Sequence, residues 1–248
     1  MVNAKEIIKW MDRKFPSKLH ASWDTTEGLI QGDLSMQVKS VCLSLELRPN
    51  LEQTGADMLI LHHPPIFGKD KSVTNPFYAK LKQSKIVIYA LHSRLDVSGF
   101  TNKALGVALL GTMRLSEPKI LTDGTAIFQL KESMATSAFV SLLKAKLHLE
   151  CVKSVIKKPK IKKIAIHGGE GFNHHHVKDA LAEGIDAYLA GDMSHHLAEF
   201  AHFFDANFFD INHYTEQVGM KALADALSRS IKGVSFTFIE QKALWDLK

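Results

Sequence analysis

The sequence predicts a layered α/β fold on three observations. Short apolar runs rich in β-branched residues recur along the chain, segments of helical period separate them, and capping residues, glycines or prolines mark the joins. With 248 residues and 46% hydrophobic content, the chain can bury one large core or two modest ones.

The elements follow in order. Asn3 with Glu6 forms a capping-box pattern, and Ile7, Ile8, Trp10 and Met11 follow at helical spacing, so an amphipathic helix is expected over residues 3–15. Residues 38–47, 58–61 and 86–91 read as three strands of one sheet. Asn75 and Pro76 take the cap and first-turn positions of a short helix through Gln83, and a helix over about 101–110 closes this region. The middle alternates a strand at 125–130, a helix over about 133–149 and a strand at 163–167. Gly168, Gly169 and Gly171 then precede a helix ending at Gly184, a strand at 186–190, a helix at 194–203 and a strand at 207–211. A helix from Tyr214 to about Ser230 and a strand at 234–239 complete the chain. Both halves alternate helices and strands, without a long-period sequence repeat.

Composition narrows the function classes. No stretch approaches the roughly 18–20 apolar residues of a membrane helix, and the N-terminus lacks a basic-then-apolar leader pattern, so a cytoplasmic protein with no membrane partner is expected. The two cysteines, Cys42 and Cys151, are distant and lie in apolar stretches. They offer neither a disulfide framework nor a thiolate zinc site, so any metal must use nitrogen and oxygen ligands. The net charge of +5 admits an anionic partner without requiring one. Lys157, Lys158, Lys160, Lys162 and Lys163 are expected to form a solvated connector, with a phosphate or nucleic-acid patch as the alternative.

Chemistry-bearing residues collect where strands are expected to end. His62 and His63 follow the apolar run 58–61 and precede Pro64 and Pro65, which cannot continue a central ladder. His92 and Asp96 follow the run 86–91, and His213 and Glu216 follow the run 207–211. In open α/β sheets ligands bind at the carboxyl ends of strands, where all of these residues fall. Three-residue spacing in a helical first turn puts His213 and Glu216 on one side. Taken singly, each group has a structural reading: adjacent loop histidines, a capping Asp96, or a cap at 213–216. Together, His62, His63, Asp96, His213 and Glu216 exceed the protein ligands of a single zinc site. They suit two divalent ions about 3.5–4 Å apart with a bridging carboxylate, the metal being Zn, Fe, Mn, Co or Ni.

The glycine-rich stretch 168–171 reads either as a tight turn or as a phosphate cradle, with Glu170 arguing for the turn. His174, His175 and His176 are expected at a solvated helix start. Asp192, His195 and His196 read as acid–base groups or as packing and capping residues, not as ligands.

The order Leu61-His62-His63-Pro64, His92-x-x-x-Asp96, His167-Gly168-Gly169-x-Gly171, Gly191-Asp192-x-x-x-His196 and His213-Tyr214-Thr215-Glu216 resembles the Nif-three-like proteins, the type 2 GTP cyclohydrolase I homologs. Trp23-Asp24 with Gly28-Leu29 is similar to that family's N-terminal signature, with one residue more than usual. The resemblance implies a two-lobed α/β fold with mixed sheets and a dinuclear metal site between the lobes, with residues 1–111 and 205–248 in the metal-binding lobe and 112–204 in the second. It also implies a homohexameric ring. The family's ligands fall on His62, His63, Asp96, His213 and Glu216, holding two divalent ions per subunit (Zn, Fe or Mn). His92 lines the same centre. Arg94 stands where the family usually carries a small polar residue.

The leading reading is therefore a metal-dependent hydrolase of a nucleotide, with His92 as proton shuttle and Arg94 and Lys69 as triphosphate contacts. For the cyclohydrolase reaction, metal-activated water opens C8 of guanine in GTP and gives 7,8-dihydroneopterin triphosphate with formate. The alternative is a non-catalytic metal carrier or adaptor to a partner protein. Nucleic-acid binding through the lysine run is a weaker third reading, which requires affinity that falls steeply with salt.

Overall fold

The structure, a computed structural model, describes residues 2–66, 74–82 and 84–244. The chain forms two compact units, Met1–Ser98 with Gly219–Lys242 and Gly99–Val218 with Ala243–Lys248. Each is built around one mixed sheet flanked by helices, an α/β architecture as expected.

In the first unit the sheet runs Ser235–Phe238, Ser40–Ser44, Met58–Leu61, Val87–Ala90, Gly28–Gln31, the last strand antiparallel and the others parallel. The three central strands are nearly all buried, and their apolar side chains pack with Phe77, Tyr78 and Leu81. Such burial explains continuous apolar runs in place of alternation. Helix Ala4–Lys14 starts at a complete capping box between Asn3 and Glu6 and buries Ile7, Ile8 and Met11. Asn75 caps helix Pro76–Leu81 by accepting from the Phe77 N–H at 2.9 Å; the expected end of that helix at Gln83 lies outside the described residues.

In the second unit the order is Lys119–Ile120, Ala126–Ala135, Lys160–Ile166, Ala187–Ala190, Asn207–Asp210, Lys153–Val155. The middle pairs are parallel and the outer ones antiparallel. Apolar side chains fill both faces of this sheet.

Three expectations change. Residues 133–135, expected at the start of a helix, extend the preceding strand because Met134 and Ala135 pair with Ile161 and Lys160; the helix is Thr136–Leu147. The lysine run is only partly a connector: residues 160–163 lie in a strand that buries Ile161 fully and shifts register between Ile161 and Lys163. The unit boundaries also differ from 1–111 with 205–248 and 112–204. Helix Phe100–Leu110 belongs to the second unit because Gly106 lets it lie on the Phe128 ring, where a Cβ would come within 2.1 Å. Strand Asn207–Asp210 belongs there because it pairs with Ala187–Ala190.

The two sheets repeat one device. Asp57, just before strand Met58–Leu61, accepts from the backbone N–H groups of Lys39 and Ser40 at 2.8 and 3.0 Å. Asp186, just before strand Ala187–Ala190, accepts from Lys162 and Lys163 at 3.0 and 2.9 Å and pairs with Lys158 Nζ at 2.8 Å. Partial burial opposes ionisation of Asp186, but Lys158 and the two backbone donors outweigh it and lower its pKa. A lowered folded-state pKa gives stabilisation that is complete above the unfolded value, about 4, and lost as pH falls through the folded one. Asp186→Asn should therefore cost about 1–3 kcal/mol near neutrality. In urea melts run at a series of pH values, the gap to wild type should close on acidification.

Candidate metal centre

Each unit presents a donor set at the carboxyl ends of its parallel strands. In the first unit, register pairs Ser44 with Leu61 and Leu61 with Ala90, so the three strands end side by side. The ladder continues past them: the His62 and His63 N–H groups donate to Ser44 and Leu45 carbonyls, and the Leu91 N–H donates to the Leu61 carbonyl. His62, His63 and His92 are thereby brought together, with one nitrogen from each lying within 4.8 Å of the others. Asp96, in the short helix Ser93–Val97, places Oδ2 3.4 Å from His62 Nε2. That matches the spacing of two donors on a tetrahedral ion with bonds of about 2.0–2.1 Å.

The other ring nitrogen of each histidine meets an acceptor. His62 Nδ1–H donates to the Leu91 carbonyl at 3.1 Å, His63 Nδ1 lies 3.5 Å from Glu46 Oε1, and His92 Nδ1 lies 3.0 Å from Asp24 Oδ2. Acceptors at Nδ1 fix the tautomer that carries its lone pair on Nε2, the arrangement found behind metal-ligating histidines. Burial alone would raise the Asp24 carboxyl. Its hydrogen bond to His92, the His92 charge, and the Thr26 and Ser93 N–H groups instead hold it well below the usual carboxylate range. The His63 hydrogen bond is the main reason Glu46 is also lowered, against burial and with help from Arg48. Neither acid stood out in the sequence. The available signals were a charged residue closing the apolar run 41–45 and the Trp23-Asp24 pair.

In the second unit, His213 and Glu216 form a single 3-10 turn after strand Asn207–Asp210, with His213 Nε2 and Glu216 Oε1 3.0 Å apart. His213 Nδ1 meets Asp192. Burial disfavours the charged ring, but hydrogen bonds and charge from Asp192 and Glu216 prevail and raise its pKa to about 10. Asp192 and Asn212 both adopt positive φ (64° and 72°), unusual for non-glycine residues and typical of functional turns. Buried Asp210 holds these turns by accepting from the Met193 and Asn212 N–H groups at 3.0 Å each, and it pairs with Lys153 at 2.7 Å.

The glycine-rich stretch is a tight turn. The Gly168 N–H donates to Asn102 Oδ1 at 2.6 Å, and the N–H groups of Gly171 and Gly191 both donate to the Gly169 carbonyl at 2.8 Å. Gly169, at φ 62°, lies against the Glu216 carboxylate, where a Cβ would come within 2.4 Å of Oε2. A phosphate cradle facing that carboxylate is electrostatically unfavourable, so the turn positions Glu216.

Other sequence candidates fall elsewhere. Arg94 does not contact solvent anions: it is buried, paired with Glu27 and with Asp12 at 2.8 Å, and it donates to the Phe15 carbonyl and Tyr89 hydroxyl. Its neighbours are carboxylates because burying a guanidinium requires them. Lys69 lies outside the described residues. His195 and His196 are exposed on helix His195–His202. His174 and His175 are exposed at a helix start as expected, whereas His176 is half-buried and stacks on His167 with ring centroids 4.3 Å apart. Burial lowers the His176 pKa. The Thr125 hydroxyl donates to Asp123 at 2.9 Å and so accepts from His167 Nδ1–H at 2.8 Å. Both cysteines are free; Cys42 is buried, with its thiol pushed up to about 11. Among the described residues no helix is long and apolar enough to cross a membrane.

Known proteins are similar to this chain in sequence and in fold. A family model described as Duf34/NIF3 (NGG1p interacting factor 3) matches residues 2–243. A Methanocaldococcus jannaschii protein named GTP cyclohydrolase 1 type 2 homolog is 29% identical over 248 residues, covering 93% of this chain and 96% of the relative. A Streptococcus pneumoniae protein of the same name is 25% identical, covering 97% and 96%. Among solved structures, reduced HcgD from M. jannaschii superposes with TM-score 0.77 at 27% identity, covering 97% of this chain and 98% of that one. A hypothetical protein from Staphylococcus aureus gives TM-score 0.84 at 23% identity, covering 99% of each, and shows the fold alone.

Gly169→Ala should push Glu216 aside and weaken divalent-ion binding about 10- to 100-fold in a chelator-competition titration. Gly184→Ala has a similar φ of 69° but open space around it, so it should lose a comparable backbone contribution and keep wild-type metal affinity.

Proposed function

We propose, from the premise that the chain belongs to the Duf34/NIF3 family, that it is a metal-dependent hydrolase acting on a nucleotide. The relatives named GTP cyclohydrolase 1 type 2 homolog support this reading. The observation that carries it is the imidazole trio His62, His63 and His92, each backed at Nδ1 by an oxygen acceptor and accompanied by Asp96. A hydrogen-bonded structural cluster does not require three such tautomers converging at strand ends.

The residues fit divalent ions. His62, His63, Asp96, His213 and Glu216 offer three imidazoles and two carboxylates, a set suited to Zn, Fe or Mn, and we assign them as ligands of a dinuclear centre. When bound, such ions supply Lewis acidity and lower the pKa of water at neutral pH. Asp24 holds the His92 ring by its Nδ1 and leaves Nε2 to take up and return a proton. Gly169 and Asp192 hold Glu216 and His213 in place. GTP or a related nucleotide is the proposed substrate, the homohexamer the proposed assembly and the cytoplasm the proposed location.

Three measurements test the reading. Protein purified without chelators or a histidine tag should contain about two divalent ions per subunit by elemental analysis. Asp96→Ala should reduce that content and abolish turnover across a nucleotide panel. Full metal occupancy with no turnover of any nucleotide would instead favour a metal carrier. Because His213 in the metal-free protein keeps its proton up to about pH 10, ion uptake should release a proton and affinity should rise with pH below that value. Calorimetry in buffers of different ionisation enthalpy reads that proton, and no release at pH 7 would remove His213 from the ligand set.

A further inference from the structure

Trp23 is 63% exposed, yet the loop that carries it is hydrogen-bonded to Ser93 on both sides of the indole. Its neighbour Asp24 is only 3% exposed and bonds both the His92 ring and the Ser93 N–H. The Ala21 N–H donates to Ser93 Oγ at 3.1 Å, Ser93 Oγ–H donates to Glu27 at 2.9 Å, and Glu27 pairs with buried Arg94. Residues on both sides of the indole are therefore anchored to the segment after strand Val87–Ala90, and the indole is held outward by its backbone. The ring itself packs at 80° against His92 with centroids 5.5 Å apart. His92 meets His62 and His63 in the same edge-on manner, at 5.1 and 5.5 Å. One exposed π surface thus stands a single ring away from the imidazole trio.

We infer that Trp23 is the platform on which the base of a mononucleotide stacks, so that the substrate's planar heterocycle is presented beside the metal-ligating histidines. This rests on the nucleotide hydrolase reading above and adds a residue that holds the base. An indole offers a flat, polarisable face to any aromatic ring, and its preorganised loop minimises the ordering cost of binding. The flanking residues Ser22 and Thr25 are exposed and polar, so the chain on either side of the indole does not extend an apolar patch of the kind expected of a protein–protein contact.

The test uses the full chain loaded with Mn2+ or Zn2+ and three ligands, GMP, guanosine and ribose 5-phosphate, followed by tryptophan fluorescence and calorimetry. GMP and guanosine should quench the wild-type signal. Trp23→Leu should raise their Kd about 5- to 150-fold, the loss of one base-stacking contact. Trp23→Phe should retain most of the affinity, and binding of ribose 5-phosphate should be unaltered by either substitution. Metal content and solution mass should match wild type in both variants. Unchanged GMP affinity in Trp23→Leu overturns the platform and leaves the hydrolase reading standing. Equal loss of ribose 5-phosphate binding, loss of metal, or an altered solution mass also overturns it, by showing that Trp23 supports the fold, the ligands or a subunit contact. Tighter, steeply salt-dependent binding of an oligonucleotide in place of GMP overturns the mononucleotide assignment. Base stacking that depends on Trp23 without any turnover keeps the platform and removes the hydrolase, whereas a wild-type protein that binds neither GMP nor guanosine removes both.

Discussion

The parallel ladder joining strands Ser40–Ser44, Met58–Leu61 and Val87–Ala90 is the constraint from which the first donor set follows. Parallel pairing brings three carboxyl ends to one edge, and the ladder bonds made by His62, His63 and Leu91 continue that alignment beyond the strands. Side-chain orientation is therefore set by backbone hydrogen bonds before any ligand is considered. His62 Nδ1–H reaches the Leu91 carbonyl on the neighbouring strand, so the same register that positions the ring also selects its tautomer.

The second unit applies this logic with different side chains. An aspartate before a central strand ties two successive N–H groups beside it in each sheet, Asp57 those of Lys39 and Ser40 and Asp186 those of Lys162 and Lys163. Four residues separate His92 from Asp96, and four separate Asn212 from Glu216, each pair following a parallel strand and entering a helical turn. The sequence carries no repeat because the chemistry at matching positions has diverged: His62 and His63 follow one strand, Gly191 and Asp192 the other. The recurrence lies in the backbone pattern, which sequence identity does not report.

This explains what could be read before the structure. Buried strands such as Met58–Leu61 and caps such as Asn3 and Asn75 are written in local residue types, and both appear where expected. The helix expected from about residue 133 begins three residues later because pairing of Met134 and Ala135 with a strand some 25 residues on overrides their helical preference. At the candidate site, side chains at strand ends were legible through the apolar run that precedes each. Glu46 and Asp24 were not, because their role is to face a histidine from a different segment. Arg94 was misread for the same reason. A cation beside a histidine looks available to an anion until Glu27 and Asp12, more than sixty residues away, are seen to enclose it.

That enclosure restricts how the chain can change over evolutionary time. The Arg94 and Glu27 side chains are both buried, and removing Arg94 alone leaves the Glu27 charge without its cation at a cost of about 3–5 kcal/mol, a large share of a typical domain's stability. The two positions must therefore be exchanged together or through a neutral intermediate at one of them. Relatives with a small polar residue in place of Arg94 should accordingly lack an acid at the position of Glu27. The loop bearing Asp24 is thereby tied to that pair even though neither member belongs to the ligand set.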